Sequence, residues 1–173
     1  AGEIICQLPR FEESVILWDA SASAQYLSPA ARDPVLSLCS PQDECWNAMK
    51  LGLADYVYKN GFKKVLLGLS GGIDSAVTAA CAVDALGAMA VQAVMMPYHY
   101  TAAMSIEDAA LQARQMGVDY QVLPIEAMVA ATRNSLASLF AGLSEDATEE
   151  NIQSRLRGVT LMALSNKFGA LVL

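Results

Sequence analysis

Between Gly68 and Ser75 the chain reads Gly68-Leu69-Ser70-Gly71-Gly72-Ile73-Asp74-Ser75, directly after an apolar run. Paired glycines let a backbone turn tightly and come close to a ligand. Their N–H groups would then converge at the start of the following helix, an arrangement suited to an anion. Ser70 and Ser75 add hydroxyl donors. Asp74 would repel a bare phosphate and becomes intelligible with a divalent cation between the two. Mg²⁺ takes one or two carboxylates together with phosphate oxygens. The segment lacks the lysine of a G-x-x-x-x-G-K-[ST] loop and the glycine spacing of G-x-G-x-x-G. The plain alternative is a tight strand-to-helix turn capped by a serine, which needs neither both glycines nor the acid.

Such a loop has to be held between a strand and a helix, and the flanking residues supply both. Residues 64–69, KVLLGL, form a continuous apolar run suited to a strand buried on two faces. Residues 74–86 predict a helix closed by Gly87, and VQAVMM (91–96) predicts the next strand. A loop, PYHYTAAM, leads to Ser105, whose S-I-E-D has the spacing of an N-cap with an acid three residues on. That helix should end at Gly117, followed by a strand in DYQVLPI, helices at about 125–140 and 148–167, and a strand beginning in ALVL. Asp146 or Thr148 would cap the later helix. Strands alternating with helices across short links imply a parallel sheet in a Rossmann-like, three-layer α/β fold. Ligands of such sheets bind at the carboxyl ends of the strands, where the glycine turn falls.

Upstream, Ser40, Pro41, Asp43 and Glu44 mark a helix start. The helix runs toward Gly61, with Trp46, Met49, Leu53 and Val57 repeating at three and four. Residues 3–18 read as two short strands around a connection containing Pro9. Residues 19–40, rich in Ala, Ser and Pro, read as a linker or an extended wrap. The domain reading is therefore 1–19, 20–40 and 41–173.

Composition narrows the function classes. Of 173 residues, 54% are hydrophobic, enough for a substantial core. A net charge of −7 argues against a nucleic-acid backbone as the main partner. It leaves room for a nucleotide, which local N–H groups and one cation can hold. The apolar stretch 79–96 is interrupted by Asp84, Gly87 and Gln92 and reads as helix, turn and strand rather than a membrane span. The four cysteines, Cys6, Cys39, Cys45 and Cys81, form no C-x-x-C pair, and the single histidine, His99, lies far along the chain from them. That disfavours zinc and fits reduced thiols in a cytoplasmic protein. His99 reads as a surface or packing residue. Met95, Met96, Met89 and Met104 read as core and strand-end residues. The opening residues lack a signal-peptide pattern, and both ends read as cuts.

The S-G-G-I-D-S segment, residues 70–75, matches the S-G-G-x-D-S signature of the PP-loop ATP pyrophosphatases. Those enzymes include NAD, GMP and asparagine synthetases and tRNA-modifying enzymes. A second stretch is more selective. EENIQSRLRGVTLMALSNKFGALVL (149–173) resembles the NAD synthetase family, above all its glutamine-dependent bacterial branch. VMMPYHYTAAMSIEDA and GLSEDATEENIQSR resemble the same branch. GEIICQLPRFEESVILWD resembles the last strands of the nitrilase-like glutaminase domain that precedes the synthetase there.

The resemblance implies an adenine nucleotide alpha hydrolase-like fold, incomplete at both ends, and ATP-dependent amidation of deamido-NAD through an adenylated intermediate. Gly68, Leu69, Ser70, Gly71, Gly72, Ile73, Asp74 and Ser75 would bind ATP, with the serines and glycines around the pyrophosphate. Asp74 would hold Mg²⁺, and the backbone at Met95 and Met96 would meet the adenine. Asn151 and Arg155 would contact deamido-NAD. Arg155 and Arg157, two apart on a helix, cannot share a face, so one should point to the site and the other elsewhere. Ammonia would come from glutamine, and the family forms homo-oligomers. The family's threonine for ATP and its second metal-contacting acid would follow Leu173. Its Glu-Lys-Cys glutaminase set would precede Ala1, and YTAAM departs from the usual serine-containing loop. The chain alone is therefore expected not to turn over. Two other readings stay open: another PP-loop enzyme resembling GMP synthetase, and a fragment that binds ATP without catalysis.

Overall fold

The computed structural model describes residues 8–15, 17 and 40–173. It divides into two compact units, Ala1–Leu51 and Gly52–Leu173. In the first, residues 8–15 carry a turn around Arg10 and Phe11 and no strand, and Arg10 pairs with Glu44. The rest of the strands expected over 3–18 and nearly all of the 19–40 linker lie outside the described residues, as do Cys6 and Cys39.

Helix α1 spans Pro41–Lys59. Asp43 N–H donates to Ser40 Oγ at 3.1 Å, and Ser40 N–H donates back to Asp43 Oδ2 at 3.2 Å. This reciprocal cap satisfies two orphan donors of the first turn. Of the expected stripe, Val57 is buried and Leu53 partly so, whereas Met49 is exposed.

In the second unit the chain alternates as β1 (Val65–Gly68), α2 (Ile73–Leu86), β2 (Val91–Met95), α3 (Ala103–Met116), β3 (Asp119–Val122), α4 (Glu126–Leu136), α5 (Ala147–Phe168) and β4 (Leu171–Val172). The strands lie in the order β3-β2-β1-β4 and every pairing is parallel. Val65 sits opposite Val91 and Leu171, and Ala93 opposite Tyr120.

The period of two along the strands divides the core. Val65, Leu67, Leu69, Val91, Ala93 and Met95 face one side, with Val57 of α1, Ala79 and Ala82 of α2, and Ala109 and Ala113 of α3. Leu66, Val94 and Met96 face the other, with Ile125, Val129 of α4, and Leu156, Leu161 and Leu164 of α5 packed around them. Helices cover both faces, so the central strands are apolar and buried except at Gly68 and Gln92, which are half-buried. This is the three-layer α/β fold that the alternation implies.

Two element boundaries differ from expectation. Helix α3 begins at Ala103, so Ser105 lies inside its first turn and caps nothing. The preceding loop explains this. Thr101 N–H donates to Tyr98 O at 2.8 Å and Tyr98 N–H to Thr101 Oγ1 at 2.9 Å, closing a turn that delivers Ala102 as the cap residue. Helix α4 ends at Leu136, and residues 137–142 continue as turns.

Asp146 caps α5, accepting from Thr148 N–H at 2.7 Å, while Glu149 Oε2 accepts from Asp146 N–H at 2.9 Å. The Thr148 side chain first, and its backbone N–H next, hold the Asp146 carboxyl below the usual carboxylate range. A depressed native value means stability that is present above the unfolded pKa of about 3.9 and is lost as pH falls through the native value. The first turn of α5 is therefore expected to loosen on acidification below about pH 4. Hydrogen exchange at Thr148 should accelerate there in the native chain, and the acceleration should be absent in Asp146→Asn.

Candidate functional site

Strand β1 ends at Gly68, and Leu69 extends it by one bond, its N–H donating to Val94 O at 2.9 Å. The Leu69 side chain is buried and its N–H is spent, so it anchors the loop and offers no donor to a ligand. The chain then turns through Ser70–Gly72 into α2. Only Gly71 takes a left-handed backbone, at φ +82°. Gly72, the cap residue of α2, is at φ −87°, which any residue adopts.

The two serines tie this turn together. Ser70 N–H donates to Ser75 Oγ and the two hydroxyls sit 3.2 Å apart, while Ser75 Oγ donates to Gly72 O at 3.0 Å. Gly72 N–H reaches Ser70 Oγ at 3.3 Å. The hydroxyls thus fix the loop from within as well as standing at its surface. Helix α2 has no side-chain cap. Its first-turn N–H groups remain available to an anion, and the helix dipole favours one there. Ile73 opens the helix with its side chain exposed, so only its backbone can serve this function.

Asp74 sits in the same first turn, exposed. Its carbonyl accepts from Thr78 Oγ1 at 2.8 Å, and no ion pair among the described residues engages its carboxylate. A hard anionic oxygen beside an anion-accepting helix end fits Mg²⁺ shared with phosphate oxygens. Among the described residues, no three histidine, cysteine or carboxylate side chains gather into a cation cage.

Beside the loop lies a cavity of ≈ 210 Å³ lined by Gly68, Leu69, Ser70, Val94, Met95, Met96, Thr101, Arg157 and Leu161. It brings the start of the loop and the end of β2 together, with Gly68, Leu69, Ser70, Met95 and Met96 all on one wall system. A Cβ on Gly68 would stand 3.4 Å from Met96 Cε and 3.5 Å from Leu161 Cδ1, so a larger side chain there would narrow the cavity. Leu123 N–H already donates to Met95 O at 2.8 Å, and Arg157 Nε donates to Met96 O at 3.1 Å. Each carbonyl keeps a second lone pair.

Asn151 and Arg155 lie elsewhere on α5. They line a shallow, open depression with Ser154, Gly158, Val159 and Met162, and no loop residue takes part in it. The two-apart rule for the arginines therefore separates them: Arg157 borders the loop cavity and Arg155 faces away from it. Thr101 and Leu161 carry no sequence signal that marks them as cavity residues. For Arg157 the i+2 offset was the available signal, but it could not say which arginine turned inward. His99 is exposed between the rings of Tyr98 and Tyr100, at centroid distances of 4.0 and 3.9 Å. A larger cavity of ≈ 490 Å³ at the α4–α5 junction includes Arg133, Glu145, Asp146 and Glu149. Arg133 is paired with Glu145, and Asp146 and Glu149 are occupied in capping, so that cavity has little free chemistry.

A parallel α/β sheet with a glycine-serine loop at the carboxyl end of its first strand defines a Rossmann-like domain of the PP-loop class. The NAD synthase family profile matches residues 45–173, and the chain belongs to that family. It is 48% identical over 172 residues to the glutamine-dependent NAD(+) synthetase of Rhodobacter capsulatus, covering 99% of this chain and 31% of that protein. Among solved structures, the glutamine-dependent NAD+ synthetase of Acinetobacter baumannii in complex with ADP is similar with a TM-score of 0.77. Its identity is 52%, over 78% of this chain and 26% of that one. An NMN synthetase from Francisella tularensis superposes with a TM-score of 0.69 at 26% identity, over 78% and 53% of the two chains. The chain thus spans between 23% and 31% of the length of the curated relatives it matches.

Proposed function

We propose that this chain is the nucleotide-activating part of a glutamine-dependent NAD synthetase, which amidates deamido-NAD at the expense of ATP. The observation that carries the reading is the uncapped N-terminus of α2, reached through the Ser70–Gly72 turn and opening beside the 210 Å³ cavity. Nucleotidyl transfer asks for positioning and charge neutralisation more than for covalent work by the protein.

The roles follow from that demand. ATP would lie with its adenine over the end of β2 at Met95 and Met96 and its β- and γ-phosphates on Ser70, Gly71, Gly72 and Ser75. The substrate carboxylate would attack the α-phosphorus, pyrophosphate would leave on the loop, and ammonia would displace AMP. Asp74 would hold Mg²⁺, which when bound neutralises charge on the phosphate oxygens. Asn151 and Arg155, one helical turn apart and both exposed, would take deamido-NAD. Val159 and Met162 lie exposed in the same depression, which suits contact with a second copy of the chain and hence a homo-oligomer. No described helix is long and apolar enough to cross a membrane, and a cytoplasmic setting suits an enzyme that consumes ATP.

The test is product analysis with the full-length protein, ATP, Mg²⁺ and either glutamine or ammonia. NAD, AMP and pyrophosphate should form in equal amounts from deamido-NAD. Preference for the corresponding mononucleotide, or for a purine nucleotide acceptor, would move the chain to another synthetase with the same loop. Binding of ATP with no turnover of any acceptor would leave it a nucleotide-binding module.

A further inference from the structure

Among the described residues, Arg157 is the only charged side chain lining the loop cavity. It is half-buried, and no carboxylate among the described residues lies within ion-pair distance of it. Its Nε donates to Met96 O at 3.1 Å, across 61 residues of sequence, which anchors the guanidinium root to the end of β2. Beyond that one bond, the half-buried cation has lost hydration that no counter-charge among the described residues replaces. A ligand would replace it.

The walls indicate which part of a ligand. Leu161 follows Arg157 by four residues on α5, so the two side chains sit one above the other on a single face. Opposite them stand Leu69, Val94 and Met96, all buried and apolar, with Gly68 leaving the space between open. Phosphates are better served at the α2 N-terminus, where N–H donors converge. At ≈ 210 Å³ the cavity falls below the roughly 300–1,000 Å³ of pockets that enclose a whole drug-sized ligand, so it suits one planar base. A guanidinium is flat, weakly hydrated and stacks on π faces, which a lysine ammonium does not reproduce.

We infer that Arg157 is the base-binding residue of this site, its guanidinium tethered to the Met96 carbonyl and its plane laid against the purine. The inference rests on the nucleotide reading above and adds a residue to it. Arg157 then acts on ground-state binding of the base and not on the reacting phosphorus.

Two ligands separate the possibilities in the full-length protein: Mg-ATP and Mg-pyrophosphate, each titrated against wild type, Arg157→Met and Arg157→Lys. Arg157→Met should weaken ATP about tenfold or more while leaving pyrophosphate unchanged. KM for ATP should rise with kcat at saturating ATP within about twofold. Arg157→Lys should recover only a small part of the loss, because charge returns without the plane. Equal weakening of ATP and pyrophosphate would overturn the inference, placing Arg157 on the phosphates. So would unaltered ATP binding in either variant. Were Arg157→Met to lose its thermal transition, the lysine variant carries the same comparison. Failure of the wild-type protein to bind pyrophosphate at all would instead remove the loop reading itself.

Discussion

Gly71→Ala is expected to abolish nucleotide binding and to lower stability by about 3 kcal/mol or more, a drop of roughly 10 °C in melting temperature. Two costs act together. The backbone at Gly71 is at φ +82°, where an L side chain costs about 1–2 kcal/mol. The second cost is steric and larger in consequence. A Cβ at this position would stand 2.2 Å from Ser105 O and 2.8 Å from both Ser105 C and Cα. All three are backbone atoms in the first turn of α3, so no side-chain rotation relieves the overlap. Either the loop or α3 must shift, and overpacking of this kind costs about 1–3 kcal/mol. A shifted loop no longer aims the α2 N–H groups at one point, so binding fails even in molecules that remain folded.

Gly72→Ala is the matched control. Its backbone is in an ordinary region, and its added Cβ would meet only the Ser70 hydroxyl at 3.3 Å. That variant should melt within about 1 kcal/mol of wild type, since a hydroxyl can turn away. Thermal melts and ATP titrations of the two variants test the argument directly. Wild-type melting and binding by Gly71→Ala would show that the loop does not approach α3 this closely.

The contrast between these glycines shows where sequence reasoning stops. The paired glycines read as a turn with close backbone approach. Which one carries the left-handed φ, and that the close neighbour is the body of α3, depends on tertiary packing across more than thirty residues. The sheet was legible for the opposite reason. Val65–Leu67 and Ala93–Met96 are buried without a break, and that demand is written in consecutive residues. Ser105 carries the local signature of a cap in S-I-E-D, whereas the Tyr98–Thr101 turn delivers Ala102 as the cap residue and starts the helix at Ala103. The arginines are intermediate. Helical geometry dictates that Arg155 and Arg157 diverge, but the inward one is tied to the Met96 carbonyl, which lies just past the end of β2 and far away in sequence. Local periodicity therefore reads elements and exclusions well, and leaves the partners of polar side chains to the fold.

Asp74→Asn should separate folding from function more cleanly than any loop variant. The side chain is exposed, with no ion pair among the described residues, and its only fixed contribution to the fold is a favourable charge at the start of α2. Losing that charge costs about 0.3–1 kcal/mol, so the variant should fold and melt close to wild type. Without a nucleotide, Asp74 even competes with any anion for the same positive helix end. Its presence is useful where a cation converts repulsion into a bridge. Asp74→Asn keeps the size and the hydrogen-bonding oxygen but removes the charge that would hold Mg²⁺. ATP titrated in the presence of Mg²⁺ should bind at least tenfold more weakly than to wild type, and binding in EDTA should be unchanged or slightly tighter. In the full-length protein kcat/KM should fall about 10²–10³-fold, the range for loss of one preorganised electrostatic contact. The decisive quantity is the ratio of binding with and without Mg²⁺. If that ratio survives in Asp74→Asn, the cation is held by other residues, and Asp74 serves only to start the helix.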